Sequence, residues 1–412
     1  MPEPAPFVAP KGMHHALVAG YLGWTLDAFD FFVIVFLYDT LAREFGVTKK
    51  AIVFTTFATL ALRPVGALLF GLLADRYGRR LPLMANVIYF SLIELFCGFA
   101  PNYTIFLILR ALFGIGMGGE WGVGASLAME AAPPKWRGIL SGILQSGYSS
   151  GYLLAAIAAR FVLPSLGWRW MFWLGVLPAL LALYIRTKVP ESEAWKQHRV
   201  ASTGEVIRVA LQHWRRFLYL AVLMTFMMFL SHGTQDLYPD FLHEVHKVLP
   251  STIANIAIIY NVGAIVGAMI FGALSQRVGR RKGMIAALAL CLLVIPAWAF
   301  GGTIPVVVLG AVLMQMGVQG AWGVIPVHLN ELAADAARSL MPGFAYQLGI
   351  LFASPTNSIQ YALRERFGYS WALAGFEIVT ILALTLLLWS GAEEHGRSFV
   401  THHQQEQLPP SD

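Results

Sequence analysis

Long apolar stretches recur along this chain, broken by short polar or glycine-rich punctuation. Within each stretch the apolar positions run round all sides instead of alternating. Runs of about 20 apolar residues are the length at which a helix crosses a hydrocarbon core. The pattern predicts twelve helices, at 15–38, 51–74, 81–100, 104–131, 139–162, 170–188, 216–239, 251–275, 283–301, 304–332, 340–363 and 370–390. Gly and Pro recur inside the runs, which suits helices and not barrel strands, whose segments are short and alternating. The chain reads as an all-α membrane protein with twelve transmembrane helices.

The polar punctuation repeats. Gly71-Leu-Leu-Ala-Asp75-Arg76-Tyr-Gly78-Arg79-Arg80 returns as Gly272-Ala-Leu-Ser-Gln276-Arg277-Val-Gly279-Arg280-Arg281, an offset of 201 residues. The same offset carries Gly119-Glu120-Trp121-Gly122 onto Gly320-Ala321-Trp322-Gly323, Arg137 onto Arg338, and Gly167-Trp168 onto Gly368-Tyr369. Four matches in one register mean a duplicated unit. The halves are 1–188 and 216–390, joined by a polar linker at 189–215 and followed by a tail at 391–412.

Composition sharpens this reading. Charged residues make up 13% of the chain, about half the ~25% of a soluble domain. The net charge of +6 could suggest nucleic acid, yet the cations follow topology. Of 29 lysines and arginines, Lys11 and 18 others fall on the side of both termini and 8 on the other, with Arg63 and Arg110 inside helices. The positive-inside rule then places both termini in the cytoplasm. Cys97 and Cys291 lie in apolar runs, so no disulfide framework is expected. Met1–Pro10 carries no charged-then-apolar signal pattern. His14, His15, His402 and His403 read as tail or interfacial residues, not as metal ligands. No cofactor, metal or nucleic-acid partner is expected.

Polar residues inside the apolar runs are the candidate chemistry. Asp27 and Asp30 are three apart and share a helix face. A carboxylate at membrane depth costs about 2.5–3.5 kcal/mol on insertion scales and marks a proton or ion pathway, or else an ion pair that holds helices together. Arg63 offers a planar fork that matches a carboxylate, so it is either a substrate anchor or the static partner of Asp27 or Asp30. Arg110 and Glu120 lie about three turns apart on one helix side; Arg110 is placed near the Asp27/Asp30 level, where it would tune those acids, and for Glu120 helix packing with an internal ion pair reads as readily as a part in that chemistry. Glycines at Gly114, Gly116, Gly118 and Gly119 allow close helix approach. Gln145 and Tyr148 are donors on one face. The densest polar run is Ser231-His232-Gly233-Thr234-Gln235-Asp236-Leu-Tyr238-Pro239-Asp240, in which His232 and Asp236 are four apart and Gly233 and Pro239 weaken the helix. Gln315, Gln319, Gln347 and Asn357 follow in later helices, and Glu377 stands isolated and reads as structural.

Twelve helices in two halves, each hinged by G-x-x-x-D/Q-R-x-G-R-R, resemble the major facilitator superfamily. The resemblance implies two pseudo-symmetric six-helix bundles around a central cavity that rock to give alternating access. It also implies gating by the hinge residues Asp75, Arg76, Arg79, Arg137 and Arg277, with Asp75 meeting the start of the eleventh helix and nearby arginines such as Arg137. Within the superfamily, Ser231–Asp236 is similar to the signature N-x-x-S-H-x-S/T-Q-D-x-x-x-T of the sialate–proton symporter family, whose members include lactate and pyruvate permeases. Here Met228 and Asp240 replace the flanking Asn and Thr. Arg63 sits where that family reads a carboxylate, and Gln347 fits its Gln-x-x-Asn pair, although position 350 is Ile. Sialic-acid carriers of the family have two extra central helices, for which 189–215 leaves no room.

The resemblance therefore implies a monomeric inner-membrane proton symporter of a small monocarboxylate such as lactate or pyruvate, with lipid, proton and organic anion as its partners. Arg63, His232, Gln235, Gln347, Gln145, Tyr148 and Asn357 would bind the acid. Asp27, Asp30, Arg110, Asp236 and Glu120 would handle the proton. The alternatives are a carrier of another organic anion, such as sialic acid or a dicarboxylate, and a non-transporting nutrient sensor. No nucleophile elbow, nucleotide loop or metal-ligand spacing supports an enzyme.

Overall fold

The computed structural model describes residues 12–400. Lys11, His402, His403 and the first ten residues lie outside them. The described chain folds into twelve main helices: α1 (Met13–Glu44), α2 (Lys49–Tyr77), α3 (Arg80–Gly98), α4 (Tyr103–Ala131), α5 (Arg137–Phe161), α6 (Trp168–Lys188), α7 (Trp214–Glu244), α8 (Pro250–Val278), α9 (Arg280–Phe300), α10 (Ile304–Leu332), α11 (Leu340–Ala353 continued by Thr356–Phe367) and α12 (Tyr369–Ser390). Ten of these are long and apolar enough to cross a membrane on their own. The exceptions are α5, studded with Ser, Gly and Gln, and α11, broken at Ser354-Pro355. Both bury central polar positions against other helices, Ser141 and Gln145 in α5 and Gln347 and Gln360 in α11, so lipid need not solvate them.

Several helices depart from the expected spans for local reasons. α1 runs on to Glu44 through a tight turn at Ile34–Leu37. α7 bends after Gln235 and restarts at Tyr238 with Pro239 in its first turn, where a missing N–H is harmless. The break thus falls after Asp236 and not at Gly233, whose carbonyl accepts a hydrogen bond from Gln360 at 2.8 Å. The linker holds two short helices, Glu193–Gln197 and Thr203–Gln212.

Each half turns back at its hinge through a glycine with positive φ, Gly78 at 106° and Gly279 at 97°. A side chain would be strained in that conformation. The reversal sends Arg79 and Arg280 inward, both fully buried, and leaves Arg76 half-buried and Arg277 exposed.

Glycines also set the crossing of α2 and α4. A Cβ on Gly114 would lie 2.0 Å from the Thr59 carbonyl oxygen, and one on Gly118 would lie 1.9 Å from that of Arg63. The two backbones therefore touch. This contact holds Arg63 at a fixed depth between the halves.

Candidate functional site: a buried arginine between two halves

The first half carries a charge cluster in its interior. Arg110 Nη1 donates to both carboxylate oxygens of Glu94, at 3.1 and 3.0 Å, and both side chains are fully buried. Arg110 therefore does not hydrogen-bond to Asp27 or Asp30, although it lies close enough to act electrostatically on both. Its partner is the one acid in α3, brought alongside by the short α3–α4 turn. Asp30 and Glu94 both abut Gly175 of α6, where a Cβ would meet Asp30 Oδ1 at 2.9 Å and Glu94 Cγ at 2.5 Å. Neither oxygen of Asp27, Asp30 or Glu120 has a hydrogen-bond partner in the protein. Glu120 Oε1 rests against Gly23 of α1, where a Cβ would lie 2.4 Å away. Arg110 does not reach it.

Arg63 lies at the boundary of the halves, 3% exposed. Its Nε and Nη2 have no hydrogen-bond partner, and its guanidinium stands 5.8 Å above the ring of Tyr346 from α11. With Asp27 also unpartnered, no hydrogen bond joins the two. Arg63 is nonetheless close enough to act electrostatically on Asp27, Glu120, Tyr148 and, across the interface, His232.

Tyr346 itself is wedged among three tryptophans. It stacks on Trp121 at 4.5 Å and lies 5.7 Å from Trp322 and 6.2 Å from Trp24. Trp121 and Trp322 are related by the 201-residue offset, and Tyr346 is the counterpart of Gln145. Gln145 is buried with its Oε1 unpartnered.

Facing Arg63 from the second half, His232 Nδ1 lies 3.1 Å from Asp236 Oδ2, which also accepts from Asn357 Nδ2 at 3.1 Å. The His232 and Asp236 side chains keep 39% and 34% of their surface accessible. Gln347 donates weakly to the Gly118 carbonyl at 3.4 Å, with its Oε1 unpartnered. Gln235 turns away from this group: its Nε2 donates to Gln315 Oε1 at 2.7 Å within the second half. Glu377 is fully buried against Gly233, with both oxygens unpartnered.

At the hinge side the halves are locked by two equivalent braces. Glu130 accepts from Arg79 Nη2 of its own half at 2.9 Å and from Arg338 of the other at 3.1 Å. By the offset, Glu331 accepts from Arg280 Nη2 at 3.0 Å and pairs across the halves with Arg137 at 3.6 Å. Asp75 receives the backbone N–H groups of Ser339 and Leu340, at 2.9 and 2.8 Å, capping the start of α11. Gln276 does the same for Gly138 at 3.0 Å, but without a charge. Burial opposes the charge of Arg79, yet the Glu130 and Asp75 carboxylates outweigh it and hold that guanidinium above its ordinary range.

Arg137 does not reach Asp75. It is held by Glu331, the Arg397 carbonyl at 2.7 Å and the Phe399 ring, 3.8 Å below its guanidinium. Arg338 covers the same ring at 4.1 Å, so the tail seals both braces. Arg76 bonds the Val200 carbonyl of the linker. Arg277 lines an outer groove with Arg281 and Lys282 and takes no part in the lock. Glu130, Glu331 and Arg280 belong to these braces but not to the gating set expected from the sequence, although the offset of 201 relates Glu130 to Glu331 as it does Arg137 to Arg338.

Ser126 Oγ and Ser339 Oγ meet at 2.6 Å beside these braces. A Ser126→Cys/Ser339→Cys pair therefore reports hinge-side closure through oxidative cross-linking. Glu331→Gln removes one anion from between Arg280 and Arg137, and the cross-linking rate is expected to fall about tenfold, as for the loss of one charge-assisted bond. An unchanged rate contradicts the brace.

Two similar helical halves, closed on one face around a buried cation, are the architecture of a membrane transporter. The chain belongs to the Major Facilitator Superfamily, whose family model matches residues 21–248, while the model for "Sugar (and other) transporter" matches 217–407. It is 30% identical over 402 residues to the carboxylic acid transporter protein homolog of Saccharomyces cerevisiae, covering 90% of this chain and 65% of that one. It is 31% identical over 346 residues to the probable 4-methylmuconolactone transporter of Cupriavidus pinatubonensis, covering 80% and 79%. The solved structure of the proton:xylose symporter XylE superposes with a TM-score of 0.77 at 19% identity, over 94% of this chain and 97% of that one. The family and these relatives are transporters, not enzymes.

Proposed function

We propose that this protein is a proton-coupled symporter that carries a small monocarboxylate, of the lactate and pyruvate size class upward, by alternating access. The observation that carries the proposal is Arg63, a buried guanidinium between the halves with two nitrogens free of protein partners. Such a fork is costly to bury unless an anion joins it. His232, Asp236 and Asn357 face it from the more open side. The carboxylic acid transporter name of the yeast relative supports the same class.

The proton follows from charge balance. Asp27, Asp30, Glu94 and Glu120 face only Arg63 and Arg110 in the first-half cluster. Two carboxyls thus have no counter-charge, and protons supply it. Once the substrate carboxylate occupies Arg63, the need for protons on the neighbouring acids grows, which couples the two ligands. A neutral substrate–proton pair then crosses the closed intermediate without carrying a lone charge through dry protein.

In this account residues 1–188 and 216–390 rock as units. The hinge side faces the cytoplasm of an inner-membrane monomer, as the distribution of cations favours. On this reading the present conformation, braced at the hinge side, is the one open to the opposite face. Purified protein in proteoliposomes is expected to accumulate labelled acid when the substrate side is made more acidic. Asp27→Asn and Asp30→Asn are expected to abolish accumulation while equal-pH counterflow persists. Accumulation that survives both substitutions together would rule out proton coupling through this pair.

A further inference from the structure

The crevice beside Arg63 has two unlike walls. On the second half it is polar, made by the hydrogen-bonded His232–Asp236–Asn357 group. On the first half it is aromatic. Phe32 and Phe36 of α1 interleave with Tyr148 and Tyr152 of α5, with ring centres 5.1 Å apart for Phe32–Tyr148, 5.0 Å for Phe32–Tyr152 and 5.8 Å for Phe36–Tyr152. Tyr148 is backed by the ring of Trp24, stacked at 5.5 Å.

An aromatic cluster of this kind is more often core than site, but exposure separates the two layers here. Trp24, Trp121 and Trp322 are buried at 1%, 2% and 3%. Phe32, Phe36, Tyr148 and Tyr152 are only half-buried. Tyr148 lies within electrostatic reach of both Arg63 and Asp236, and Tyr152 of Tyr260 in α8, so the two tyrosines look across the interface of the halves.

From this arrangement we infer that the transported acid is a planar, conjugated carboxylate of about one ring. This rests on the carboxylate reading of Arg63 and narrows it. With its carboxylate on Arg63, a flat π-system lies against the edges and faces of Tyr148, Phe32 and Tyr152, where offset and edge-to-face contacts reward an aromatic body beyond its area. The opposite wall can offer hydrogen bonds to a polar atom at the far rim of the ring. A hydroxy acid of three carbons reaches Arg63 but leaves the aromatic wall unfilled. A saturated ring fills the space without the quadrupole match.

The test compares initial uptake of labelled benzoate, nicotinate, cyclohexanecarboxylate and lactate by the full chain in proteoliposomes. Benzoate and nicotinate are expected to exceed cyclohexanecarboxylate and lactate by about tenfold in kcat/KM, the size of one or two aromatic contacts. Tyr152→Leu is expected to narrow the benzoate-to-cyclohexanecarboxylate ratio to about twofold, and Tyr152→Phe to keep it. Elution as a single peak in detergent checks that each variant is folded. If lactate or cyclohexanecarboxylate matches benzoate, or if Tyr152→Leu leaves the ratio intact, the planar-acid inference fails while the carboxylate reading stands. If the folded protein transports none of the four acids, both fail.

Discussion

Arg63→Lys is expected to reduce acid uptake by about 100-fold while leaving the protein folded. Lysine keeps the charge but loses the planar fork, and with it at least one charge-assisted hydrogen bond worth roughly 1.5–3 kcal/mol. Its shorter reach past the Gly114–Gly118 crossing adds a positional loss, since α2 cannot shift toward α4 where backbones already touch. Uptake assayed against acid concentration in proteoliposomes checks this. Binding should weaken first, because the fork contacts substrate in both ground and transition states. Unimpaired uptake by Arg63→Lys would leave Arg63 as a structural cation and remove the anchor from the account.

Breaking the Arg110–Glu94 pair is expected to have the largest effect on stability. Both partners are fully exposed to protein and not to water, joined through one guanidinium nitrogen at 3.0–3.1 Å. Glu94→Leu leaves Arg110 buried without its counter-charge, a situation that costs about 3–5 kcal/mol. Arg110→Leu leaves Glu94 able to take a proton, so the loss should be smaller. The double variant Glu94→Leu/Arg110→Leu should recover much of the stability lost by the first substitution, since an apolar pair of similar volume is often tolerated. Thermal unfolding of the three variants in detergent reads the coupling directly. Additive losses would mean that the two side chains do not depend on each other.

The architecture was legible because it is written in repetition and in bulk hydropathy. Twelve apolar runs and the offset of 201 residues are visible without any contact information. Arg63, Asp27 and Asp30 stood out because ionisable residues at membrane depth are rare. His232 and Asp236 stood out because a spacing of four puts two side chains on one face, and they meet at 3.1 Å.

Contacts between helices were harder to read. Glu94 carries no periodic signal of its own, and the sequence sets Arg110 only at the level of Asp27 and Asp30. A hairpin folded about residues 99–102 brings positions before and after the turn alongside, so an acid and an arginine flanking it had a pairing signal within reach. The pairings at the hinge were hard to read for a related reason. The hinge motif holds several arginines, and only the positive-φ glycines decide that Arg79 and Arg280 turn inward while Arg277 turns out. Tyr346 escaped notice because its place depends on three tryptophans from α1, α4 and α10. No periodicity encodes a meeting of four helices.

The duplicated frame also explains where the site lies. Glu130 and Glu331 make equivalent braces, and Gly78 and Gly279 make equivalent turns, so these elements serve closure in both halves. The acid cluster has no counterpart: Asp27 and Asp30 align with Met228 and Ser231, and Glu94 with Ile295. His232 and Asp236 align with Phe31 and Val35. Coupling chemistry in the first half and the polar wall in the second are departures from the repeat, and they face each other across Arg63.

The most direct test of the central claim is acid accumulation by the Asp27→Asn/Asp30→Asn protein in proteoliposomes, measured beside its own counterflow at equal pH. The account predicts that counterflow of the labelled acid persists, because Arg63 and the crevice are intact, while an imposed proton gradient no longer drives accumulation. Gradient-driven accumulation equal to that of the unsubstituted protein would contradict it.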